Sequence, residues 1–341
     1  MNTRGNADRV LLAHGGGGQL SDLLIRRQVL PRIGWSGGPL YDAGSIEIAG
    51  KRLYVTTDSY VVKPLFFPGG DIGKLAVCGT INDLAVCGAV PLAISLALII
   101  EEGLEMEVLE QVLDSIGRTA SDSGVEVVTG DTKTVEAGSA DGLFVNTTGI
   151  GLGRPGIDLG FDRILPGDTI LINGTIGDHG MTILAQRQDI GFQTPIISDC
   201  SCLLGLVERL LAVAGRSIRF MRDPTRGGLA ATLCEMAIGC GRSIEIREDQ
   251  IPVRPPVMAA CEMLGLDVLN VANEGKVVIV VDPAVAQDCL RVCREHPLGR
   301  DAAIIGIVKE QTKVPIVEMQ TRAGGRRIVQ MPYGAELPRI C

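Results

Sequence analysis

The sequence predicts an α/β protein of two domains, and three observations carry that prediction. The chain has 341 residues, enough for two independent cores. Apolar residues make up 46% while aromatics reach only 3% and Gly reaches 44 residues, so the core is built from Val, Ile, Leu and Ala with many tight backbone turns. Finally, short apolar runs alternate with helical patterns in each half, on either side of a divide near residue 155.

In chain order, a glycine-rich segment over residues 1–50 precedes the first domain, 51–155. There Arg52–Thr57 predicts a strand that ends at Asp58, and Ile72–Gly73–Lys74 opens a helix rich in Ala, Cys and Gly that contains the polar pair Asn82–Asp83. Leu92–Ile100 predicts a buried strand. Leu109, Val112, Leu113 and Ile116 recur at helical spacing within 104–121, before a strand at Val125–Val128 that ends in Gly130–Asp131–Thr132–Lys133. Leu143–Ile150 closes this half. Gly151–Gly156 fits the letters of a dinucleotide fingerprint, but Pro155 interrupts it and no amphipathic helix follows, so it is expected to be an interdomain linker. In the second domain, 156–320, strand Thr169–Ile172 leads to Gly177–Asp178–His179–Gly180 and a helix. A helix over 202–213 precedes Asp223–Pro224–Thr225–Arg226–Gly227–Gly228 and the helix Leu229–Ile238, and Asn273–Glu274–Gly275–Lys276 precedes the strand Val277–Val280. The remainder, 321–341, is broken by glycine and proline and reads as a flexible tail ending on Cys341. Its last eighteen residues, Gly324–Cys341, extended, would span roughly 60 Å, against a radius of gyration of about 20 Å for a compact chain of this length.

Composition excludes several function classes. The net charge is −8 without a long basic run, which argues against nucleic acid as the main partner. The longest apolar run, Leu92–Ile100, falls short of the roughly 20 residues that span a bilayer. Met1–Asn6 carries no apolar leader pattern, so the expected location is the cytoplasm. Ten cysteines contain no C-x-x-C, and only three histidines accompany them, so a zinc site has little to build from. Most are expected to be small buried hydrophobes. Cys341 is the exception by position.

The acids supply the chemistry. Asp58, Asp83, Asp131 and Asp223 occupy turns or polar breaks beside Gly, Asn or Thr, with Lys133 and Arg226 nearby. Dispersed carboxylates with glycine-rich loops suit Mg²⁺ and nucleotide phosphates, because Mg²⁺ takes oxygen ligands and is shared between a few carboxylates and the phosphates. Each Asp alone reads better as a turn former or helix cap; only the joint pattern favours the metal. Likewise His14 and the run Gly15–Gly16–Gly17–Gly18 can wrap an anion with exposed N–H groups, or act as a flexible linker.

Together, Ala13–His14–Gly15 through Gly18, Thr57–Asp58–Ser59–Tyr60, Phe66–Phe67–Pro68–Gly69–Gly70, Asn82–Asp83, Gly130–Asp131–Thr132–Lys133, Gly177–Asp178–His179–Gly180, Asp223–Pro224–Thr225–Arg226–Gly227–Gly228, Asn273–Glu274–Gly275–Lys276 and the ending Pro338–Arg339–Ile340–Cys341 closely resemble the HypE family of hydrogenase maturation factors, over essentially the whole chain. That family is similar to aminoimidazole ribonucleotide synthetase and selenophosphate synthetase. The resemblance implies a PurM-like (aminoimidazole-ribonucleotide-synthetase-like) fold, α/β or α+β by scheme, and a homodimer whose N-terminal strands form a shared barrel. It also implies a reaction: HypF carbamoylates the Cys341 thiol, ATP converts the carboxamide to a thiocyanate, and cyanide passes to iron on the HypC–HypD complex for a [NiFe]-hydrogenase. Cys341, Glu274, Lys133 and His179 are then the expected catalytic residues. ATP is expected against His14, Gly15 to Gly18, Lys74, Asn82, Thr132, Arg226 and Gly227, and Mg²⁺ on the four aspartates. Selenophosphate synthetase itself fits poorly, since no Cys precedes Cys78 and no Lys precedes Lys51. A scaffold that merely displays Cys341 remains the rival of another class; a salt bridge to Lys276 is the competing role for Glu274.

Overall fold

The computed structural model describes residues 9–35, 37–188, 196–311, 313–334 and 339–341. Met1–Asn6, on which the leader expectation rests, and Pro338 lie outside them. A short helix α1 (Gln19–Leu24) precedes the first domain, which runs β1 (Gly44–Ile48), β2 (Lys51–Tyr60), β3 (Phe66–Phe67), β4 (Gly70–Asp71), α2 (Ile72–Val86), β5 (Ala89–Glu101), α3 (Met106–Asp122), β6 (Glu126–Val135) and β7 (Leu143–Gly153). The second domain runs β8 (Thr169–Ile172), α4 (Asp178–Arg187), α5 (Leu204–Ala214), β9 (Ile218–Arg222), α6 (Gly228–Cys240), β10 (Arg242–Arg247), α7 (Pro255–Leu264), β11 (Val278–Val281), α8 (Ala286–Arg294), β12 (Ala303–Gln311), β13 (Val317–Gln320) and β14 (Arg326–Val329).

Each domain is built on one mixed sheet, in the orders β1-β2-β7-β5-β6 and β14-β13-β10-β12-β8-β11-β9. In the first sheet β2, β7 and β5 pair antiparallel while β6 joins β5 in parallel. Period-2 alternation along β2 buries Tyr54, Thr56 and Tyr60 and turns Lys51, Val55, Thr57 and Ser59 outward. The inner face packs on α2, whose run of small and apolar residues is buried on nearly every side because the sheet, α3 and the second domain all press on it. Gly79 allows that approach: a Cβ there would collide with the Tyr60 hydroxyl. The outer face is bare, and Val55, Ile99, Val128 and Ile150 are exposed on it.

The two domains share hydrophobic packing. Ile183, Cys200, Ala272 and Ile340 are buried among the residues of α2, α3 and the first sheet, and Ala85 and Val86 of α2 are buried among α5 and α8.

Four expected boundaries move. Asp58 and Asp131 sit inside longer strands rather than at strand ends, since β2 and β6 continue past them. Gly151–Gly153 belongs to β7, so the linker begins at Arg154. The segment before residue 51 contributes β1 to the first sheet. Within 321–341, Arg326–Val329 pairs with β13, and Met331–Tyr333 is tied to α1: Gln19 N–H donates to Pro332 O (2.8 Å), Leu20 N–H to Tyr333 O (3.1 Å) and Gln19 Nε2 to Met331 O (3.0 Å). Much of the expected tail is therefore sheet or anchored chain, because backbone pairing satisfies N–H groups that composition alone leaves unassigned.

Candidate functional site

The end of the chain is docked into the cleft between the domains. His179, fully buried at the start of α4, donates from Nε2 to Ile340 O at 2.7 Å, and its Nδ1 meets Ser198 Oγ at 2.8 Å. Burial holds this imidazole below its ordinary pKa, against the pull of Asp199, so it is neutral. Val61 N–H donates to Cys341 O (3.1 Å), Arg187 to Arg339 O (2.6 Å), and Arg339 donates back to Val61 O (3.2 Å) while pairing with Asp141 and lying over the Phe144 ring. Ile340 is buried in the first domain's core. Asp141 and Val61 occupy Arg339, and the cation acting on the Cys341 thiol is Arg226. Burial nonetheless pushes that thiol up to about 12, and Glu274, Asp58 and Asp223 push the same way.

Glu274 is placed by a turn ahead of β11. Asn273 ties three loops together: its Oδ1 accepts from Gly177 N–H (2.8 Å) and its Nδ2 donates to Pro224 O (2.8 Å). Asp199 accepts the N–H groups of Glu274 and Gly275, each at 3.2 Å, and pairs with Lys276 at 3.0 Å. Gly275 is required, since a Cβ there would strike Asp199 O. Burial pushes Asp199 up, but Lys276, His179 and these N–H groups outweigh it and leave it below the ordinary carboxylate value. The competing role of Glu274 as partner to Lys276 is thereby removed. Its Oε1 is buried without a hydrogen bond among the described residues. Burial, then Asp223, Asp199 and Asp58, drive its pKa well above 4.5, opposed by Arg226. A raised carboxylate beside a thiol is arranged to take a proton.

Three of the four expected metal aspartates act on one another electrostatically. Tyr60 OH and Asp58 Oδ2 are 3.4 Å apart, Asp83 Oδ2 accepts from Thr56 Oγ at 2.6 Å, and Asp223 follows β9. Burial and then Asp223, Asp58 and Asp42 raise Asp83 well above the usual range; burial and Asp42 do the same for Asp223. Buried, mutually repelling carboxylates are the donor set a hard divalent cation relieves. Among the described residues, no group of three or more His, Cys, Asp or Glu is placed to hold a metal ion. Mg²⁺ keeps few protein ligands and shares the rest with phosphate oxygens, so these aspartates alone would not complete its shell. Sequence reasoning missed Asp42, held by Arg222 at 3.0 Å, and Arg222 itself, which also pairs with Glu235 at 2.9 Å. It also missed Asp199. None sits in a glycine-rich run, and their roles arise only when distant loops meet.

Other expected residues are placed differently. Asp131 pairs with Lys133 at 2.6 Å on β6, beside Thr132, and all three are exposed at the sheet edge rather than beside Cys341. Asn82 is consumed structurally: Nδ2 donates to Ser201 O (3.0 Å) and Oδ1 accepts from Leu203 N–H (2.7 Å). Lys74 donates to Gly69 O at 2.8 Å, and His14 Nδ1 accepts from Leu11 N–H at 2.9 Å. The glycine run packs on Arg226 and Pro332; Gly17 N–H is already bonded to Ser21 Oγ (2.9 Å) and Gly16 N–H to Ala13 O (3.4 Å), so half of its four donors are spent internally. Arg226 donates to Gly15 O at 3.4 Å, and Gly227 caps α6 with φ 78.

Two α/β domains meeting at a carboxylate-lined cleft define the class, and the family models agree: "AIR synthase related protein, N-terminal domain" matches residues 41–153 and the corresponding C-terminal domain residues 166–317. The chain is 48% identical to carbamoyl dehydratase HypE of Rhizobium leguminosarum bv. viciae over 98% of this chain and 95% of that one, and 44% identical to the Escherichia coli K12 enzyme over 98% and 100%. A crystal structure of hydrogenase maturation protein HypE in complex with ATP superposes with TM-score 0.81 at 44% identity, covering 98% of this chain and 100% of that one; a HypE–HypF complex gives 0.85 at 45%, covering 91% and 99%. Thiamine monophosphate kinase from Aquifex aeolicus, at 18% identity and TM-score 0.64 over 91% and 99% of the two chains, shares the fold. The chain belongs to the carbamoyl dehydratase HypE family. Among the described residues no helix is long and apolar enough to cross a membrane.

Proposed function

We propose that this chain is an ATP-dependent dehydratase acting on an S-carbamoyl group carried by its own Cys341, converting it to a thiocyanate. The observation that carries this reading is the docking of Cys341 by His179, Val61 and Arg187 beside the orphaned carboxylate of Glu274 and the guanidinium of Arg226. ATP is a co-substrate: the carboxamide oxygen leaves as phosphate, ADP is released, and both amide protons are lost as C–N becomes C≡N. Without that transfer the oxygen would have to leave as hydroxide, a far poorer leaving group. Glu274 takes an amide proton, and Arg226 stabilises charge developing on the oxygen. Asp58, Asp83 and Asp223 would hold Mg²⁺, which supplies charge neutralisation at the transferred phosphoryl group.

A thiol held up near 12 is a poor nucleophile when docked, so carbamoylation belongs to an undocked tail and a partner that supplies an activated carbamoyl group, in the manner of HypF. Delivery of cyanide to a HypC–HypD-type iron carrier follows from the same tail undocking again. The bare outer face of the first sheet, with Val55, Ile99, Val128 and Ile150, is assigned to a homodimer.

Intact mass of carbamoylated protein with and without Mg-ATP tests the reading. A loss of one water, absent in Cys341→Ala, is expected; an unchanged mass would leave the scaffold role.

A further inference from the structure

A second cavity lies at the other end of β2. It encloses about 970 Å³ between the β1–β2 hairpin, the end of β7 with its linker, and the start of β9. From Arg52 to Asp58 is six residues of strand, about 20 Å at ~3.3 Å per residue, so this cavity is separate from the cleft that holds Cys341.

Its charge is the reverse of the whole protein's. Lys51, Arg52, Arg154, Arg163, Arg216 and Arg219 line it against only Glu47 and Asp158 in the wall itself, in a chain of net charge −8. The two acids serve Arg52 (3.0 and 3.1 Å) and Arg163, while Glu208 and Asp282 hold Arg154 (2.7 Å) and Arg219 (2.8 Å). Even so, Nε of Arg154 and Nε of Arg219 are buried with no hydrogen-bond partner among the described residues, although Asp168 stands 3.6 Å from the second. Lys51 and Arg216 have no carboxylate partner among the described residues. Arg216 is instead fixed by donating to Gly156 O at 3.1 Å, and it lies so close over Gly156, at φ 78, that a Cβ there would sit 3.2 Å from its guanidinium. The uncompensated charge is thus that of Lys51 and Arg216; holding it beside four paired guanidiniums costs stability, and a bound oxyanion offsets that cost. Leu152, Pro155, Ile157 and Ile218 add an apolar wall.

We propose that this interdomain cavity binds a phosphate-bearing small molecule of nucleotide size. Guanidinium forks match phosphate oxygens in pairs, the apolar wall suits an uncharged ring, and the volume is that of a small-molecule site. A nucleic acid polymer would need an extended basic track, and the chain as a whole is net negative. Because residues of both domains and their linker form the wall, occupancy would brace one domain against the other.

Calorimetric titration of the full chain with ADP, in magnesium-free buffer, tests this, with Lys51→Gln/Arg216→Gln as the comparison. The wild type should take up one more ADP per chain than the double variant, and pyrophosphate should bind the double variant at least tenfold more weakly. Arg216→Lys, which keeps the charge but loses the fork, should fall between them. Equal ADP stoichiometry and equal pyrophosphate affinity in wild type and double variant would overturn the proposal. If the double variant does not fold, Lys51→Gln alone, on the exposed hairpin, should still weaken pyrophosphate several-fold; an unchanged affinity there counts against it equally.

Discussion

Nε2 of His179 donates to the carbonyl of Ile340 at 2.7 Å, so a buried, neutral imidazole in the second domain holds the residue next to Cys341. The resemblance implied a catalytic His179; with Nε2 on the tail and Nδ1 on Ser198 Oγ, both ring nitrogens are engaged in latching the tail. Replacing it with Leu removes the donor and strands the carbonyl, a change worth about 1–3 kcal/mol. The expected outcome is faster alkylation of Cys341 by iodoacetamide, with His179→Gln intermediate. Burial depresses the folded-state pKa of His179, so protons bind the unfolded chain more readily. Its contribution is complete above about pH 6.5 and is lost as pH falls below that value. Denaturant midpoints between pH 5 and 8 should move accordingly, and less in His179→Gln.

Alkylation also reads the thiol. With Cys341 near 12 when docked, its rate should still be climbing at about pH 10, where a free thiol of pKa about 8.5 has nearly levelled. Asp141→Ala frees Arg339 and should bring the profile toward the free-thiol curve; an early plateau in wild type would mean the docked state is rare.

Much of the fold was legible because period-2 and period-3.6 patterns survive in this sequence. The amphipathic α3 was expected within a residue or two, and β8 at its observed bounds. The site was most legible where glycine marked it: Asp223–Gly228 and Asn273–Lys276 announce turns in which backbone approach is tight. Asp199 gave no such signal, because its work is to hold the Glu274 turn from 75 residues away in sequence. Asn82 misled for the opposite reason, since a polar residue on an apolar helix reads the same whether it binds nucleotide or pins Leu203.

Glu274→Gln keeps the shape and removes the base. Product formation on carbamoylated protein should drop by roughly 10²–10⁴-fold while the tail remains docked by the alkylation assay. The variant should be at least as stable as wild type, since it discharges a buried carboxyl whose Oε1 lacks a partner. Full activity in the variant would remove Glu274 from the reaction.

The aspartate cluster carries its own linkage. Burial and mutual repulsion raise Asp83 and Asp223, so the folded state holds protons that the unfolded chain releases, and stability falls as pH rises from about 4 toward their raised folded values. Asp83→Asn should therefore raise the magnesium-free melting temperature at pH 7, by about 1.5–3 °C for about 1–2 kcal/mol. The same variant should lose most of the stabilisation that Mg-ATP gives wild type. If magnesium and ATP shift both proteins equally, the cluster is not the cation site.

Lys133 tests the dimer. It lies with Asp131 on β6, at the edge of the sheet whose outer face is bare, and not beside Cys341 of its own chain. If that face pairs with a second copy, Lys133 is carried to the interface and acts on the partner's tail. Glu274→Gln and Lys133→Ala should then each be inactive alone. Co-refolded, half of the dimers would be mixed, each with one complete site, restoring about a quarter of wild-type activity for a two-fold dimer. Were Lys133 to act within its own chain, every mixed dimer would lack a complete site and the mixture would stay inactive. A Lys133→Ala protein that retains full activity on its own would remove the residue from the reaction in either arrangement.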